Sequence, residues 1–393
     1  MSDLAKAREI SVDAEIITAD AADVLTDKAV DVIIEVTGAA PAYEWIKTAL
    51  ENGKDVVTAN KAVIAEHGEE LFRLAASRQV EILFEASVAG GIPVIRSLRS
   101  GLVANEIESL YGIVNGTTNY ILTRMTRGEG SYRDILADAQ AKGFAEADPS
   151  MDVSGMDAAQ KLSILSRIAF NTSGTASEIF CEGIEGIESR DIEYAKELGY
   201  TIKLLAIAKR QNDVVEARVH PAMVPSDSLL ANIHDEYNAL EVVGSAVGRQ
   251  VYYGRGAGQM PTASAVVADL MSLAERKNSG AGSSVGDLIS TQQTARSFAD
   301  IKSTQIRYYM RMIVADHPGV LEQTARILAQ QQISIASVMQ QERDLEGGAV
   351  PLIIVTHEAP EAAMQQAVQE LDQLDFVREN VRLIRIEDLG DPS

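Results

Sequence analysis

Between residues 31 and 101 short apolar runs alternate with amphipathic stretches. "DVIIEVTG" (31–38) is apolar and closed by glycine, which predicts a buried strand. "APAYEWIKTALENG" has helical spacing and ends on Gly53. "KDVVTAN" predicts a second strand, "KAVIAEHGEELFRLAASRQ" a second helix and "VEILFEASV" (80–88) a third strand. "GIPVIRSLRSGL" predicts a third helix with Pro93 in its first turn. This β-α-β-α-β order belongs to a parallel sheet with helices on its faces, an α/β fold.

From residue 106 the pattern changes. Helices are predicted near 117–127, 131–142 and 155–170, then strands near 201–208, 213–222, 239–244 and 249–254, an α+β arrangement. "GRGAGQMPTASAVVADLMSLAERK" (254–277) is a glycine turn leading into a long helix, expected to pack back on the first region. "NSGAGSSVGD" (278–287) has the composition of a linker. Beyond it the pattern reads strand, helix, strand, strand, helix, strand, the order of a ferredoxin-like βαββαβ unit. Four segments are therefore expected: 1–105, 106–277, a linker at 278–305, and 306–389.

Composition narrows the function classes. A chain of 393 residues is expected to form two or three domains. Its net charge of −22 is spread along the chain, which disfavours nucleic acid and anionic membrane as partners. One cysteine, Cys181, excludes an intrachain disulfide framework or thiolate metal cluster and fits a reducing cytoplasm. Nothing near Cys181 in the sequence activates it, so it is expected to be a buried small apolar residue. No apolar run approaches the ~20 residues of a membrane span.

Ligands of open parallel sheets bind outside the carboxyl ends of the strands. Thr37-Gly38, Thr58-Ala59-Asn60-Lys61 and "EASVAGG" (85–91) fall at those ends. Lys61 opens a helix, where a cation is disfavoured unless an anionic partner is present. "GRGAGQMPTAS" places a glycine turn before a helix N-terminus, an arrangement that offers backbone N–H groups to an anion. "GIVNGTTNYILTRM" (112–125) reads as a strand, a turn and a helix cap. "GFAEADPSMDVSGMDAAQK" (143–161) is the densest candidate. Asp157 and Lys161 are four residues apart, on one face of a helix that is apolar nearly all round. A buried lysine beside a carboxylate can donate or accept a proton, and Glu146 and Asp152 can reach the same pocket. An exposed helical ion pair is the plainer reading of the same spacing.

"GKDVVTANKAVIAEHGEEL", "FEASVAGGIPVIRSLRSGL", "GIVNGTTNYILTRM", "GFAEADPSMDVSGMDAAQKLSIL" and "GAGQMPTASAVVADL" resemble, in order, the signature blocks of homoserine dehydrogenase over residues 25–277. "ADHPGVLEQTARIL" resembles the start of an ACT domain, an amino-acid-sensing module. The resemblance implies a Rossmann-like NAD(P)-binding domain, an α+β catalytic and dimerisation domain and a ferredoxin-like ACT domain. It implies reversible reduction of L-aspartate 4-semialdehyde to L-homoserine by NADPH or NADH, in threonine, methionine and isoleucine biosynthesis. By the same resemblance Lys161 is the general acid/base, and Asp157 and Glu146 hold the substrate. Thr37, Lys61, Gly143 and Gly258 face the cofactor. Glu85 and the carbonyls of Val88, Gly90 and Ile92 hold sodium. The ACT unit implies an amino-acid effector, L-threonine, at Asp316, Gly319 and Val320, in a cytoplasmic homo-oligomer, dimer or tetramer.

The family pattern opens on a strand and a G-x-G-x-x-G turn, whereas this chain opens on "MSDLAKAREI", which resembles the region after the family's second strand. The expectation is a shortened Rossmann-like domain, and the alternative function is a catalytically silent amino-acid-binding protein.

Overall fold

The computed structural model describes residues 16–280, 295–340 and 348–389. The described residues divide into two compact units. One lies within Met1–Gly101 and Ala257–Ala295, the other within Leu102–Gly256 and Arg296–Ser393.

The first unit begins with α1 (Ala21–Leu25), β1 (Val32–Glu35), α2 (Ala42–Glu51), β2 (Asp55–Thr58), α3 (Lys61–Arg78), β3 (Ile82–Leu83) and α4 (Val94–Arg96). The three strands pair in parallel in the order β1-β2-β3. Helix α2 buries Ala42, Ile46, Ala49 and Leu50, one stripe of its surface. Asn60 caps α3 by accepting from the Val63 N–H at 3.2 Å, and Gln79 ends that helix in a left-handed conformation. Two predicted elements are shorter than expected. The strand over 80–88 is confined to Ile82–Leu83, because Glu85–Ser87 fold into a 3-10 turn. Ser87 closes that turn with its N–H and its hydroxyl on the Phe84 carbonyl. The third helix is a single turn, α4, running into a π turn at Ser97–Gly101.

The second unit holds β4 (Ile107–Ile113), α5 (Gly116–Thr126), α6 (Tyr132–Ala141), α7 (Ser150–Val153), α8 (Met156–Phe170), β5 (Phe180–Cys181), α9 (Ser189–Glu197), β6 (Tyr200–Gln211), β7 (Val214–Pro225), β8 (Tyr237–Gly244) and β9 (Gly248–Arg255). Strands β6 and β7 form a long hairpin, with Gln211 opposite Val214 and Asn212 left-handed at the turn. Helix α8 packs on this hairpin. Elements β5 and α9 were not predicted. Strand β5 is two residues long, and α9 is charged, with only Ile192, Tyr194 and Ala195 apolar and buried. The chain then supplies α10 (Gln259–Ser279) to the first unit, where Val266 and Leu273 pack with Val57 and Leu83.

The remaining elements return to the second unit: β10 (Ser297–Phe298), β11 (Gln305–Ala315), α11 (Val320–Gln330), β12 (Ile335–Gln340), β13 (Ala349–Thr356), β14 (Ala359–Pro360), α12 (Glu361–Leu371) and β15 (Val377–Ile386). Apart from the short β14, this is the predicted βαββαβ order. The core includes Tyr308, Met310, Met312, Leu352, Ile354, Met364 and Leu371. The last strand starts at Val377, earlier than its apolar stretch suggested. Its far end pairs in parallel with β7, Arg385 beside Ala222 and Ile386 beside Met223. One sheet thus runs β12-β13-β11-β15-β7-β6-β4-β8-β9. Of the predicted linker, residues 281–294 lie outside the described residues.

Candidate active site

Helix α8 is preceded by Gly155, whose φ of 86° suits glycine, and it ends on left-handed Asn171. Asp157 lies in its first turn, where the helix dipole favours a carboxylate. One turn on, Lys161 Nζ donates to Asp157 Oδ2 at 2.7 Å and to the Val114 carbonyl at 2.7 Å. The side chains are 12% and 8% exposed, so this is a nearly buried pair and not a solvated surface bridge. Two donors of the ammonium are occupied and a third remains for a ligand oxygen.

The loop after β4 completes the arrangement. Asn115 Oδ1 accepts from the Thr118 N–H at 2.8 Å and caps α5. Its Nδ2 donates to Asp157 Oδ2 at 2.8 Å and to Asp152 Oδ1 at 2.7 Å. Thr117 Oγ1 donates to Asp152 Oδ2 at 3.0 Å and to the Phe144 carbonyl at 2.8 Å. The "NGTT" motif, whose residue types turn and cap already explain, also orients the two carboxylates and so supports the neighbouring site. Its bonds to Asp152 and Asp157 could not be read from the sequence, because the residue types of a turn and cap account for the motif by themselves. Buried Lys203 was missed altogether. It donates to Asn119 Oδ1 at 3.1 Å and to the Ile233 carbonyl at 2.5 Å, and burial pushes it down to about 8.

Glu146 lies on the exposed loop after α6, with its backbone carbonyl held by Gln140 Nε2 at 3.1 Å. Gly143 starts that loop with a φ of 75°. Asp148 acts locally, at the start of α7, where the Ser150 hydroxyl and N–H hold its carboxyl below its ordinary range.

In the first unit Thr37 is exposed just beyond β1. Its N–H and hydroxyl donate to Glu35 Oε1 at 2.8 and 2.7 Å, and Thr58 Oγ1 donates to Glu35 Oε2 at 2.9 Å. Buried Glu35 ties the carboxyl ends of β1 and β2 together, another role that apolar patterning conceals. Lys61 is half-buried at the first position of α3. Gly258 precedes α10 with a φ of 117°, and no side chain caps that helix, so its first N–H groups can receive an anionic group.

Glu85 is 4% exposed. Its Oε1 accepts from the Ile95 N–H and its Oε2 from the Arg96 N–H, both at 2.9 Å. Burial pushes its carboxyl up to about 7 against those two donors. Ala89 and Gly90 are left-handed, Val88 is extended, and the Ile92 carbonyl accepts from the Val94 N–H at 2.7 Å. Among the described residues no group of three or more His, Cys, Asp or Glu could hold a metal.

In the C-terminal unit Gly319 precedes α11 with a φ of 97°, Asp316 is half-buried and Val320 is buried. Cys181 departs from its expected role as a wholly buried residue. It is half-buried and its Sγ donates to the Ser154 carbonyl at 3.2 Å. Burial pushes the thiol up to about 11, away from nucleophilic use. Among the described residues no helix is long and apolar enough to cross a membrane.

Comparison with known proteins adds the family. Residues 1–85 match the family described as homoserine dehydrogenase, NAD binding domain, residues 93–271 match homoserine dehydrogenase, and residues 308–375 match the ACT domain. A homoserine dehydrogenase of Pseudomonas aeruginosa is 46% identical over 378 residues, covering 95% of this chain and 87% of that protein. One of Neisseria gonorrhoeae is 41% identical, covering 98% and 89%. The crystal structure of a homoserine dehydrogenase from Thiobacillus denitrificans matches with a TM-score of 0.89 and 42% identity, covering 95% of this chain and 86% of that one. A hyperthermophilic archaeal homoserine dehydrogenase in complex with NADPH matches at 28% identity with a TM-score of 0.58, covering 66% of this chain and 76% of that one. The chain belongs to the homoserine dehydrogenase family of NAD(P)-dependent oxidoreductases and carries a C-terminal ACT domain.

Proposed function

We propose that Lys161 moves the proton in the interconversion of L-aspartate 4-semialdehyde and L-homoserine. The observation that carries this reading is the nearly buried Lys161–Asp157 pair with one ammonium donor left unfilled. A bound nicotinamide cofactor supplies or takes the hydride. In the reducing direction Lys161 gives its proton to the aldehyde oxygen as that oxygen becomes a hydroxyl. The Val114 carbonyl and Asp157 aim the ammonium, and Asp157 keeps an anion beside it. Asn115 and Thr117 fix Asp157 and Asp152, carboxylates suited to a substrate ammonium group. Glu146, on its exposed loop, adds a further carboxylate for the substrate.

The cofactor contacts assigned to Thr37, Lys61, Gly143 and Gly258 are supported by the strand-end position of Thr37, the α3 position of Lys61 and the uncapped N-terminus of α10. Either NADPH or NADH suits these residues. A sodium ion at Glu85, Val88, Gly90 and Ile92 would take the backbone oxygens of the last three and a remaining lone pair of Glu85, each of whose oxygens accepts one N–H. Its role would be structural. The turn at Asp316–Val320, with the uncapped start of α11, suits the carboxylate of an amino-acid effector, taken as L-threonine. Edge strand β9, with exposed Tyr253, supports a homo-oligomer, and a cytoplasmic location accompanies the reading.

The test is NADPH oxidation with L-aspartate 4-semialdehyde by the chain and by Lys161→Ala. Equal activity of the two would remove Lys161 from the chemistry. Calorimetric titration with L-threonine tests the effector, and absence of binding heat would remove it.

A further inference from the structure

A short segment, residues 180–184, touches both the ACT domain and the stretch that leads into α8. Arg385, on the end of β15 that pairs with β7, is 2% exposed. Its Nε and Nη2 donate to Glu361 Oε2 and Oε1 at 2.9 and 2.5 Å. The Tyr308 hydroxyl donates to the same carboxylate at 2.8 Å. The third arm leaves the ACT domain: Nη1 donates to Glu182 Oε2 at 2.7 Å, and the guanidinium lies 4.7 Å from the centre of the Phe180 ring. Arg385 therefore grips the chain on both sides of Cys181.

On its other side this segment is pressed against the start of α8. The Ile184 N–H donates to the Val153 carbonyl at 2.9 Å, and Cys181 Sγ to the Ser154 carbonyl. The Glu182 N–H donates to the Val219 carbonyl of β7 at 2.9 Å. The fit leaves no slack. A Cβ on Gly183 would stand 2.2 Å from the Val153 oxygen, and one on Gly155 would stand 3.0 Å from Cys181 Sγ and 3.1 Å from Val219 Cγ1. Gly155 is the left-handed residue that starts α8, two residues before Asp157 and six before Lys161. A close-packed contact transmits displacement instead of absorbing it. Two direct contacts separate Arg385 from the residue beside Gly155: Arg385 on Glu182, and Cys181 on the Ser154 carbonyl.

We propose that Arg385 and Glu182 are positioning residues for Asp157 and Lys161, so that the ACT domain sets where the first turns of α8 stand. Neither residue touches the proposed reacting atoms. Both act through residues 180–184. The inference rests on the reading of Lys161 as proton carrier. It gives an amino acid bound to the ACT domain a defined mechanical path to that lysine.

The test uses the full chain and three variants, Glu182→Ala, Glu182→Gln and Lys161→Ala. Steady-state NADPH oxidation with L-aspartate 4-semialdehyde is measured with amide hydrogen exchange over residues 150–162. Glu182→Ala is expected to lower kcat about tenfold, since small displacements of a reacting group are costly. The KM for NADPH should stay unchanged, and exchange at residues 153–159 should accelerate. Glu182→Gln keeps an acceptor for Arg385 and should recover most of both losses. With kcat taken per folded enzyme, a role confined to folding would leave kcat at the wild-type value and accelerate exchange throughout the chain instead of at residues 153–159. Wild-type kcat and wild-type exchange in Glu182→Ala, with Lys161→Ala inactive, would overturn the proposal and leave the proton-carrier reading standing. Full activity in Lys161→Ala would sink that reading instead, and the mechanical coupling would then be decided by the exchange data alone.

Discussion

Lys161 and Arg385 are both cations held by carboxylates inside the second unit, yet their surroundings differ in one respect. Lys161 retains 12% exposure and one unfilled donor, and its partners are a single carboxylate oxygen and a carbonyl. Arg385 is 2% exposed and faces Glu361, Glu182 and the Phe180 ring. Around it lie Arg218, paired with Glu216 and Glu387, and Lys209, paired with Glu387 at 2.9 Å. The first cluster keeps a place for a ligand. The second gives every cation a carboxylate partner inside the sheet junction, an arrangement that fixes how β15 meets β7. Buried pairs of that kind specify a register more than they stabilise it, because desolvation offsets much of their attraction. An open valence, more than burial or charge, separates chemistry from architecture here.

Removing the cation of the open cluster gives the largest expected effect. Lys161→Ala should lower kcat roughly a thousandfold, within the range for loss of a general acid/base, with a stability loss from the cation taken away beside nearly buried Asp157 as the smaller effect. The closed cluster should show the reverse. Burial pushes the Glu387 carboxyl up, but Arg218, Lys209 and His220 outweigh that and hold it at about 2. A carboxylate depressed from 4.5 contributes stability above pH 4.5, and that stability is lost as pH falls towards 2. The contribution is of the order of 3 kcal/mol. Glu387→Gln should therefore be less stable by about that much at pH 6, with the gap to wild type closing as pH falls from 4.5 to 2. Denaturant unfolding across that window checks the sign. A gap that widened on acidification would break the contrast between the two clusters.

Asn115 belongs to the open cluster and also caps a helix, so two substitutions separate its roles. Asn115→Ala removes both and should lose about 1 kcal/mol of stability with the cap, together with about tenfold in kcat from misplaced carboxylates. Asn115→Asp keeps an acceptor for the Thr118 N–H but sets a third carboxylate against Asp152 and Asp157. The cap is kept, but carboxylates within hydrogen-bond distance repel, so neither stability nor activity should return at neutral pH, and stability alone should recover as pH falls and the introduced carboxyl takes up a proton, as read from melting curves beside kcat.

Much of this was legible in the sequence. The parallel β-α-β-α-β run, the βαββαβ order and the one-face spacing of Asp157 and Lys161 all follow from apolar periodicity and hold in the structure. What escaped were features whose cause lies far along the chain. The third strand stops at Leu83 because the Glu85 N–H turns to Asp269, 184 residues away. Asn115 reads as a cap because its bonds to Asp152 and Asp157 span 37 and 42 residues. Arg385 sits in "VRLIRIED", where it looks like the polar face of a strand, until Glu361, Glu182 and the Phe180 ring close on it. Periodicity reports which residues are buried, not which distant group they meet.

The smallest predicted effect lies where the two clusters touch. Gly155→Ala adds a methyl group 3.0 Å from Cys181 Sγ at a residue with a φ of 86°. The left-handed backbone alone costs about 1–2 kcal/mol for a residue with a Cβ, and the contact with Cys181 adds to it. Cys181→Ala removes the sulfur and opens a small space there. In the double variant the penalty from Cys181 should disappear, while the backbone penalty and the 3.1 Å contact with Val219 Cγ1 remain. The combined loss should then fall short of the sum of the singles by about 0.5–1 kcal/mol, as for residues in direct contact. Denaturant unfolding of the four proteins measures that difference. Strict additivity would mean that residues 180–184 and the start of α8 yield independently, and the closed cluster would then have no hold on the open one.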